Sequence, residues 1–527
     1  MHKKTIRMAS IITDQFRIFN AGNFVDSVNT NSYYVFLGLA NPNDGGFGRT
    51  SGLVGTQTTW DSNPPSPVDN LQYLSHYKDS LLFGKKIITS NVRRVVRKVN
   101  WVSNTRYDMY RHDYSPTNLT PNSNLPRLYD SDFYVMNSNF RVYVCVDNGS
   151  SGTNTLGNKS QDEPTFIDAE PSAAGSSNDG YVWKYLFTVS PSDIIKFDST
   201  EYIILPNNWS TDNDSEIQRI RNAGNSEIEE NQIKKIYIDT EGDGYVNGEY
   251  TVKINGDGAG ATALITVENS SIKSAVVTAG GKGYTYGIVD LGPLRTGTLS
   301  QNAKLIPIIP PSNGHGYDIY KELGADRVLI YARFDDSTKD LPIDTKFSQV
   351  GILKNPTYTS SSTVFDENAF SGLNSIKLSS IPGRPTIGEK ITQLTTDGNT
   401  ATGYVASYDE DTKVLKYFRD RSLYFPNRTD ETDDSDVSDV SVIHDFESIS
   451  NNIQFITSGF NAPIDTTFSD NKVTVGNKVI NLGVLFQNGL SSSEINKKSG
   501  DVIYIDNRPL VTRNLRQKED VKIILEF

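Results

Sequence analysis

Ile236-Tyr-Ile-Asp-Thr-Glu-Gly-Asp-Gly-Tyr245 returns 39 positions later as Ala275-Val-Val-Thr-Ala-Gly-Gly-Lys-Gly-Tyr284. Each copy reads as a strand running into a Gly-rich turn, where glycine supplies the positive φ that tight turns demand, with a tyrosine just after it. Strand-like segments at 251–254 and 263–267 lie between the copies. Together they make one small β module, too short for a solenoid. The same texture extends outward: 40 Gly, 27 Tyr and 23 Phe stand against a hydrophobic fraction of only 36%, which implies short strands, many turns and cores built on aromatics. A chain of 527 residues is too long for one core, and roughly three or four domains are expected.

Toward the N-terminus, a short strand and then a helix are expected, with Thr13 as cap and Phe16, Phe24 and Val28 on one face. Residues 33–39 suit a strand. Residues 41–67 read as a long loop ending in Ser66-Pro67-Val68-Asp69, a helix start. Val68, Leu71, Leu74 and Leu81 would line that helix to about Leu82, with Gly84 as its stop. Strands follow at 133–136, 140–146, 181–189 and 202–205, broken by a Pro- and Asn-rich loop at 115–126. Residues 148–178 are polar and expected to be irregular and mobile. A second β module carries strands at 391–394, 403–406 and 413–418, with Asp397-Gly398 as a hairpin turn. Residues 429–439 read as a solvated acidic loop. Strands at 502–505 and 521–527 end the chain inside a sheet.

Charge and motifs bound the chemistry. A net charge of −12 is repelled by phosphate backbones, so nucleic acid is not expected as a partner. The single cysteine, Cys145, excludes an intrachain disulfide and reads as a buried hydrophobe, as suits a reducing cytoplasm. Met1-His2-Lys3-Lys4 lacks the apolar region of a signal peptide, and no apolar run approaches the roughly 20 residues that span a bilayer. His2, His76, His112, His315 and His444 are scattered, and no HExxH, GxSxG or GxxxxGK[ST] occurs. The Gly-rich 255–261 stretch reads as a β turn, not a dinucleotide site. The best metal candidate is a weak calcium motif, Asp239, Glu241 and Asp243 with Glu249 downstream, its second acid being Glu where Asp or Asn is usual. Arg93-Arg94-Val95-Val96-Arg97-Lys98 reads as a strand whose charges protect an edge or exposed face, or else as a patch for an acidic neighbour. Paired acids for glycoside hydrolysis carry no weight among 63 acidic residues. No catalytic constellation and no cofactor are expected.

The ends and the middle of the chain carry a resemblance. Ile12-Thr13-Asp14-Gln15-Phe16-Arg17, Asn23-Phe24 and Tyr34-Val-Phe-Leu-Gly38 resemble the opening of the baseplate wedge proteins of T-even-type phages, the gene product eight family. So do Val99-Asn-Trp101 with Asn104-Thr-Arg-Tyr107, and Asn178-Asp-Gly-Tyr-Val-Trp-Lys-Tyr-Leu-Phe187 with Glu201-Tyr-Ile-Ile-Leu-Pro206. The closing Gly500-Asp-Val-Ile-Tyr-Ile-Asp-Asn-Arg-Pro509 and Lys522-Ile-Ile-Leu-Glu-Phe527 look like the family's C-terminus. These segments keep the family's order over roughly half of the chain, and the whole resembles the longer versions in myophages of cyanobacteria. In the 181–187 stretch, Tyr181, Trp183, Tyr185 and Phe187 should share one face, and Asn507-Arg508-Pro509 should form a turn.

The expected fold is therefore mainly β with some α (α+β), multi-domain, with a discontinuous core domain and inserted small β-sandwich or barrel modules. The expected divisions are a core at 1–215, an inserted module at 230–295, a return to the core at 305–360, a second module at 365–425, an acidic irregular region at 426–490, and strands at 491–527 completing the core. The resemblance implies a non-enzymatic virion protein of the tail baseplate, assembled in the host cytoplasm. It implies a homodimer that binds other wedge subunits, equivalents of gene products six, seven and ten. A glycan-binding adhesin and a tail polysaccharide depolymerase are the competing readings.

Overall fold

The computed structural model describes residues 13–39, 62–64, 66–67, 69, 74, 77–78, 80–222, 232–335, 346–359, 361–419, 444–449, 452–512 and 517–527. Strands make up 43% of the chain and helices 11%, so the protein is mainly β, with several sheets and more than one domain. Two compact units emerge, each assembled from separate stretches: Met1–Val25, Arg93–Leu329 and Ile523–Phe527 form one, and Asp26–Val92 with Ile330–Lys522 the other. The expected first strand, the 41–61 part of the long loop and the acidic run 429–439 lie outside the described residues.

In the first unit, the Phe16 amide donates to the Thr13 hydroxyl at 3.3 Å, capping the helix Asp14–Ser27 as expected. The buried stripe, however, is Ile18, Ala21, Gly22 and Val25, while Phe16 is 52% exposed and Phe19 63%. The helix packs by its small side because Gly22 admits the Arg94 guanidinium: a Cβ there would lie 3.0 Å from Nη2. Phe24 meets Phe527 at 5.8 Å.

An antiparallel sheet runs Tyr134–Met136, Arg141–Asn148, Tyr181–Thr188, Ser172–Ala173. Tyr181 and Trp183 stack at 5.3 Å, with the Tyr107 ring edge-on to Trp183 at 5.7 Å. The shared face reaches Tyr185, whose ring lies 5.6 Å from Tyr143. It does not reach Phe187. The ladder passes over Leu186, and this extra residue turns Phe187 toward Trp209, 6.2 Å away. Side chains bond along the 148–178 segment, expected to be irregular and mobile. Asn137 donates to the Pro164 carbonyl at 2.8 Å, Asn158 to that of Asp179 at 2.7 Å, and the Ser177 amide to Asp162 at 2.8 Å.

The Gly-rich repeat builds a sheet in the order Ser271–Lys282, Ala259–Glu268, Gly248–Gly256, Gly287–Val289, beside the pair Ile236–Thr240 and Lys304–Pro307. Its two copies match at their glycines, although the first strand ends at Thr240 as expected while the second, Ser271–Lys282, runs on through Gly280 and Gly281 instead of turning there. Gly242 and Gly281 have φ of +69° and +65°, and Gly244 and Gly283 of +96° and +75°. A Cβ on Gly242 would lie 2.6 Å from the Tyr245 ring, and one on Gly281 2.7 Å from the Tyr284 ring. Each glycine is thus the floor on which the tyrosine three residues later lies. The hydroxyls then accept backbone amides, Ala303 to Tyr245 at 2.9 Å and Ala261 to Tyr284 at 3.2 Å.

In the second unit, one sheet runs Ala369–Ser371, Leu81–Ile87, Tyr33–Gly38, Lys346–Lys354, Asp501–Thr512, joining distant parts of the chain. Two expectations fail here. Tyr77 and Lys78 are helical, but Pro67 and Asp69 are not, and Leu81 and Leu82 have already entered a strand that continues through Gly84. Gly84 is needed for packing: a Cβ would sit 2.1 Å from the Phe370 ring. Nor does Asn507-Arg508-Pro509 form a turn. It lies inside the strand Asp501–Thr512 as a bulge, between the partners Gln349↔Asn507 and Phe347↔Val511. Proline is tolerated there because a bulge frees its position from donating to the ladder. A second sheet runs Phe460–Ala462, Ile453–Phe455, Lys390–Leu394, Thr400–Asp409, Val414–Arg419, Asn374–Lys377, Leu490–Ser491. The Asp397-Gly398 turn closes one of its hairpins, with Gly398 at φ +84°.

Gly281 and Gly283 separate two costs by mutation. Nothing lies within 4 Å of a Cβ on Gly283, whereas one on Gly281 would sit 2.5 Å from the Ala261 nitrogen. Gly283→Ala should cost about 1–2 kcal/mol from φ alone, and Gly281→Ala distinctly more, as read by chemical denaturation.

Candidate functional site

A buried arginine, Arg111, anchors one set of polar contacts. The Tyr110 amide donates to the Cys145 carbonyl at 2.8 Å, which fixes the next residue against the sheet. Arg111 is 2% exposed, and its Nε and Nη2 donate to Asp113 at 2.9 and 2.7 Å. The guanidinium lies 3.9 Å over the Tyr237 ring and 5.0 Å from that of Tyr114. Burial alone would push the Asp113 carboxyl up, but the hydrogen bonds and charge of Arg111 outweigh it and hold the group below the usual range. Burial also opposes the charge on Arg111, and Asp113 more than offsets it.

Tyr237 belongs to the first strand of the Gly-rich module, and further bonds fasten that strand beside it. Lys235 pairs with Asp147 at 2.6 Å. The Ile308 amide donates to the Lys235 carbonyl at 2.8 Å, and the Ile309 amide to Nδ1 of His112 at 3.2 Å. Burial holds His112 below the ordinary imidazole range, which suits an acceptor nitrogen. The Arg111 cation is thus bound bidentately to a carboxylate two residues away and covered by a ring from the first strand of the Gly-rich module.

The calcium candidates are dispersed by their partners. Asp239 pairs with Lys304 at 3.2 Å, and Glu241 with Lys273. Asp243 is exposed and exchanges backbone hydrogen bonds with Gln301 at 2.9 and 3.2 Å, and Glu249 is exposed. Among the described residues, no group of three or more His, Cys, Asp or Glu side chains could hold a metal ion.

The basic run is likewise committed. Its strand, Val92–Arg97, lies between Arg327–Asp335 and Tyr202–Ile204, so it is not an edge. Arg93 pairs with Asp193 at 2.8 Å, Arg97 with Asp132 at 2.7 Å, and Arg94 stacks on Tyr320 at 3.9 Å. Lys98 donates to the Ser199 carbonyl at 3.0 Å. These charges knit the unit internally. Cys145 is fully buried, and burial pushes its thiol well above the ordinary range.

Sequence reasoning missed a second buried polar set. His315 Nδ1 lies 2.6 Å from Glu322, which also accepts the Gly316 amide at 2.7 Å, and the Tyr110 ring stands edge-on to the imidazole at 4.8 Å. Lys184 is 2% exposed, donates to the Ala169 carbonyl, and is held below the usual ammonium range by burial. Neither set was legible, because its members are ordinary residues brought together only by the fold. The one local hint was Gly314-His315-Gly316, whose glycines have φ of +87° and +88°.

The sequence matches no family profile, and no curated protein matches it.

Removing one member of a buried ion pair costs about 3–5 kcal/mol, so Arg111→Met should destabilise on that scale in urea unfolding. Arg111→Lys should rescue little, since an ammonium lacks the planar fork. Because the folded Asp113 carboxyl is held low, its contribution is complete above the unfolded value of about 4 and is lost as pH falls through the folded one. The stability gap between wild type and Asp113→Asn should therefore narrow below about pH 4. Calcium at about 1 mM should leave the melting temperature unchanged, since lysines already neutralise Asp239 and Glu241.

Proposed function

We propose that this chain is a non-enzymatic structural subunit of the baseplate wedge of a contractile-tailed phage. In this reading it holds wedge subunits together and shifts as a rigid body when the baseplate rearranges during infection. The resemblance of its beginning, middle and end to the gene product eight family supplies the class. One observation supports it most: polar groups of the family-like segments, side-chain and backbone, are spent on partners within the chain. Trp101 Nε1 donates to the Ser160 hydroxyl at 3.0 Å, and the Tyr107 hydroxyl accepts the Val102 amide at 2.6 Å. The Tyr181 hydroxyl accepts the Tyr107 amide and donates to the Asn158 carbonyl, both at 2.9 Å. The Glu201 carbonyl accepts the Lys98 amide at 2.7 Å, and that of Pro206 the Tyr320 hydroxyl at 2.6 Å. Groups used in this way are spent on rigidity, a requirement of a part that transmits force.

In this reading the fold is α+β, a discontinuous core with the modules near 230–295 and 365–490 inserted into surface loops. Such insertion costs little closure entropy. The protein works in the virion as a homodimer among neighbouring wedge subunits, after assembly in the host cytoplasm. No helix among the described residues is long and apolar enough to cross a membrane.

Light scattering of the purified chain, alone and mixed with wedge partners, should give a dimer that joins them, with no turnover of host-surface polysaccharide. A monomer that ignores every partner contradicts the proposal. Glycan cleavage abolished by one carboxylate substitution would establish the depolymerase instead.

A further inference from the structure

His112 lies where the chain outside the Gly-rich module meets the module's exit. Its own segment is fixed: the Tyr110 amide donates to the Cys145 carbonyl at 2.8 Å, and Arg111 and Asp113, on either side of it, are bound to each other. On the module's side, the chain leaves the strand Lys304–Pro307 through Ile308 and Ile309, 4% and 6% exposed, and Ile309 packs in the module's own core. Two amide bonds hold this exit. The Ile308 amide donates to the Lys235 carbonyl at 2.8 Å, and the Ile309 amide to Nδ1 of His112 at 3.2 Å.

The second bond carries a condition. An amide N–H needs a lone pair, and only an unprotonated Nδ1 offers one, since an imidazolium carries N–H groups at both positions. Protonation therefore sets two donors against each other. His112 is exposed, so protons reach it without unfolding. Desolvation, opposed by Asp113 and aided by the Arg111 charge, holds the ring below the ordinary imidazole range. The neighbouring charges are already engaged. Lys235 is paired with Asp147 and Lys304 with Asp239, and the Tyr114 and Tyr237 rings lie against Arg111.

We propose that His112 is a proton-operated latch on the exit of the Gly-rich module, closed when the imidazole is neutral and open when it is protonated. The bond to Ile309 is complete above the unfolded imidazole value of about 6.5 and is lost as pH falls through the lower folded one. Opening frees one of the two amide bonds, so the exit loosens while Lys235 still holds Ile308. Histidine is the side chain suited to such a change near neutral pH.

The chain supplies its own probe. In Ile306-Pro-Ile-Ile-Pro-Pro311 the prolines have no amide, so beyond its first residue a peptide of this stretch reports only Ile308 and Ile309. Hydrogen–deuterium exchange of the full chain is followed on that peptide from about pH 7.5 down to about pH 5, a range that spans the ordinary imidazole value, and corrected for the intrinsic rate. Wild type is compared with His112→Asn, whose carbonyl oxygen accepts an amide without titrating, and His112→Ala, which has no acceptor. Protection of the wild-type peptide should fall by at least about threefold on acidification, while both variants stay flat. At the upper pH wild type should match the asparagine variant, and at the lower it should approach the alanine variant. Flat wild-type protection, or an equal fall in all three chains, overturns the latch.

Discussion

A guanidinium taken out of water must be matched on every side, and Arg111 is. Its fork is filled by Asp113 and its face by Tyr237, at 2% exposure. The unpaired charge would cost several kcal/mol; Asp113, two residues on, offsets that locally, and the Tyr237 ring is the contact that reaches the Gly-rich module. Tyr237 in turn fixes the strand Ile236–Thr240, from which the Gly-rich module continues. Lys235 with Asp147 and His112 with Ile309 repeat the same device around it. Several unlike bonds converging on one strand resist shear in more than one direction, which a single hydrophobic contact does not.

The two copies of the repeat show how a modest sequence signal encodes geometry. Glycine at positive φ three residues before a tyrosine lets the ring lie above it, and the hydroxyl then accepts an amide at the neighbouring strand. The glycine requirement is local and was legible in the residues, as were the Thr13 cap and the Asp397-Gly398 turn. The partners of the hydroxyls, 58 and 23 positions away, were not. What could not be read was decided by distant partners. Gly84 looked like a helix stop because nothing nearby reveals the Phe370 ring that occupies its missing Cβ. Phe16 looked like a core residue because the periodicity could not show that Arg94 approaches the opposite side. Leu186 broke the aromatic alternation because a bulge depends on the register of the partner strand.

Charge was the least legible layer. The acids at Asp239 and Glu241 suggested a cation site, and the arginines of the Val92–Arg97 strand suggested a protected edge. In the fold each carboxylate meets a lysine, and the arginines meet carboxylates or rings. These counter-charges come from positions that no motif spacing links. Among the described residues, these charged groups are spent on partners within the chain.

The baseplate reading makes a claim about place. Virions assembled with a tagged copy of this chain, labelled through the tag and imaged by electron microscopy, test it directly. The account predicts label at the baseplate, arranged around the tail axis, in both extended and contracted tails. Label on the capsid or fibres only, or none in purified virions, would contradict it.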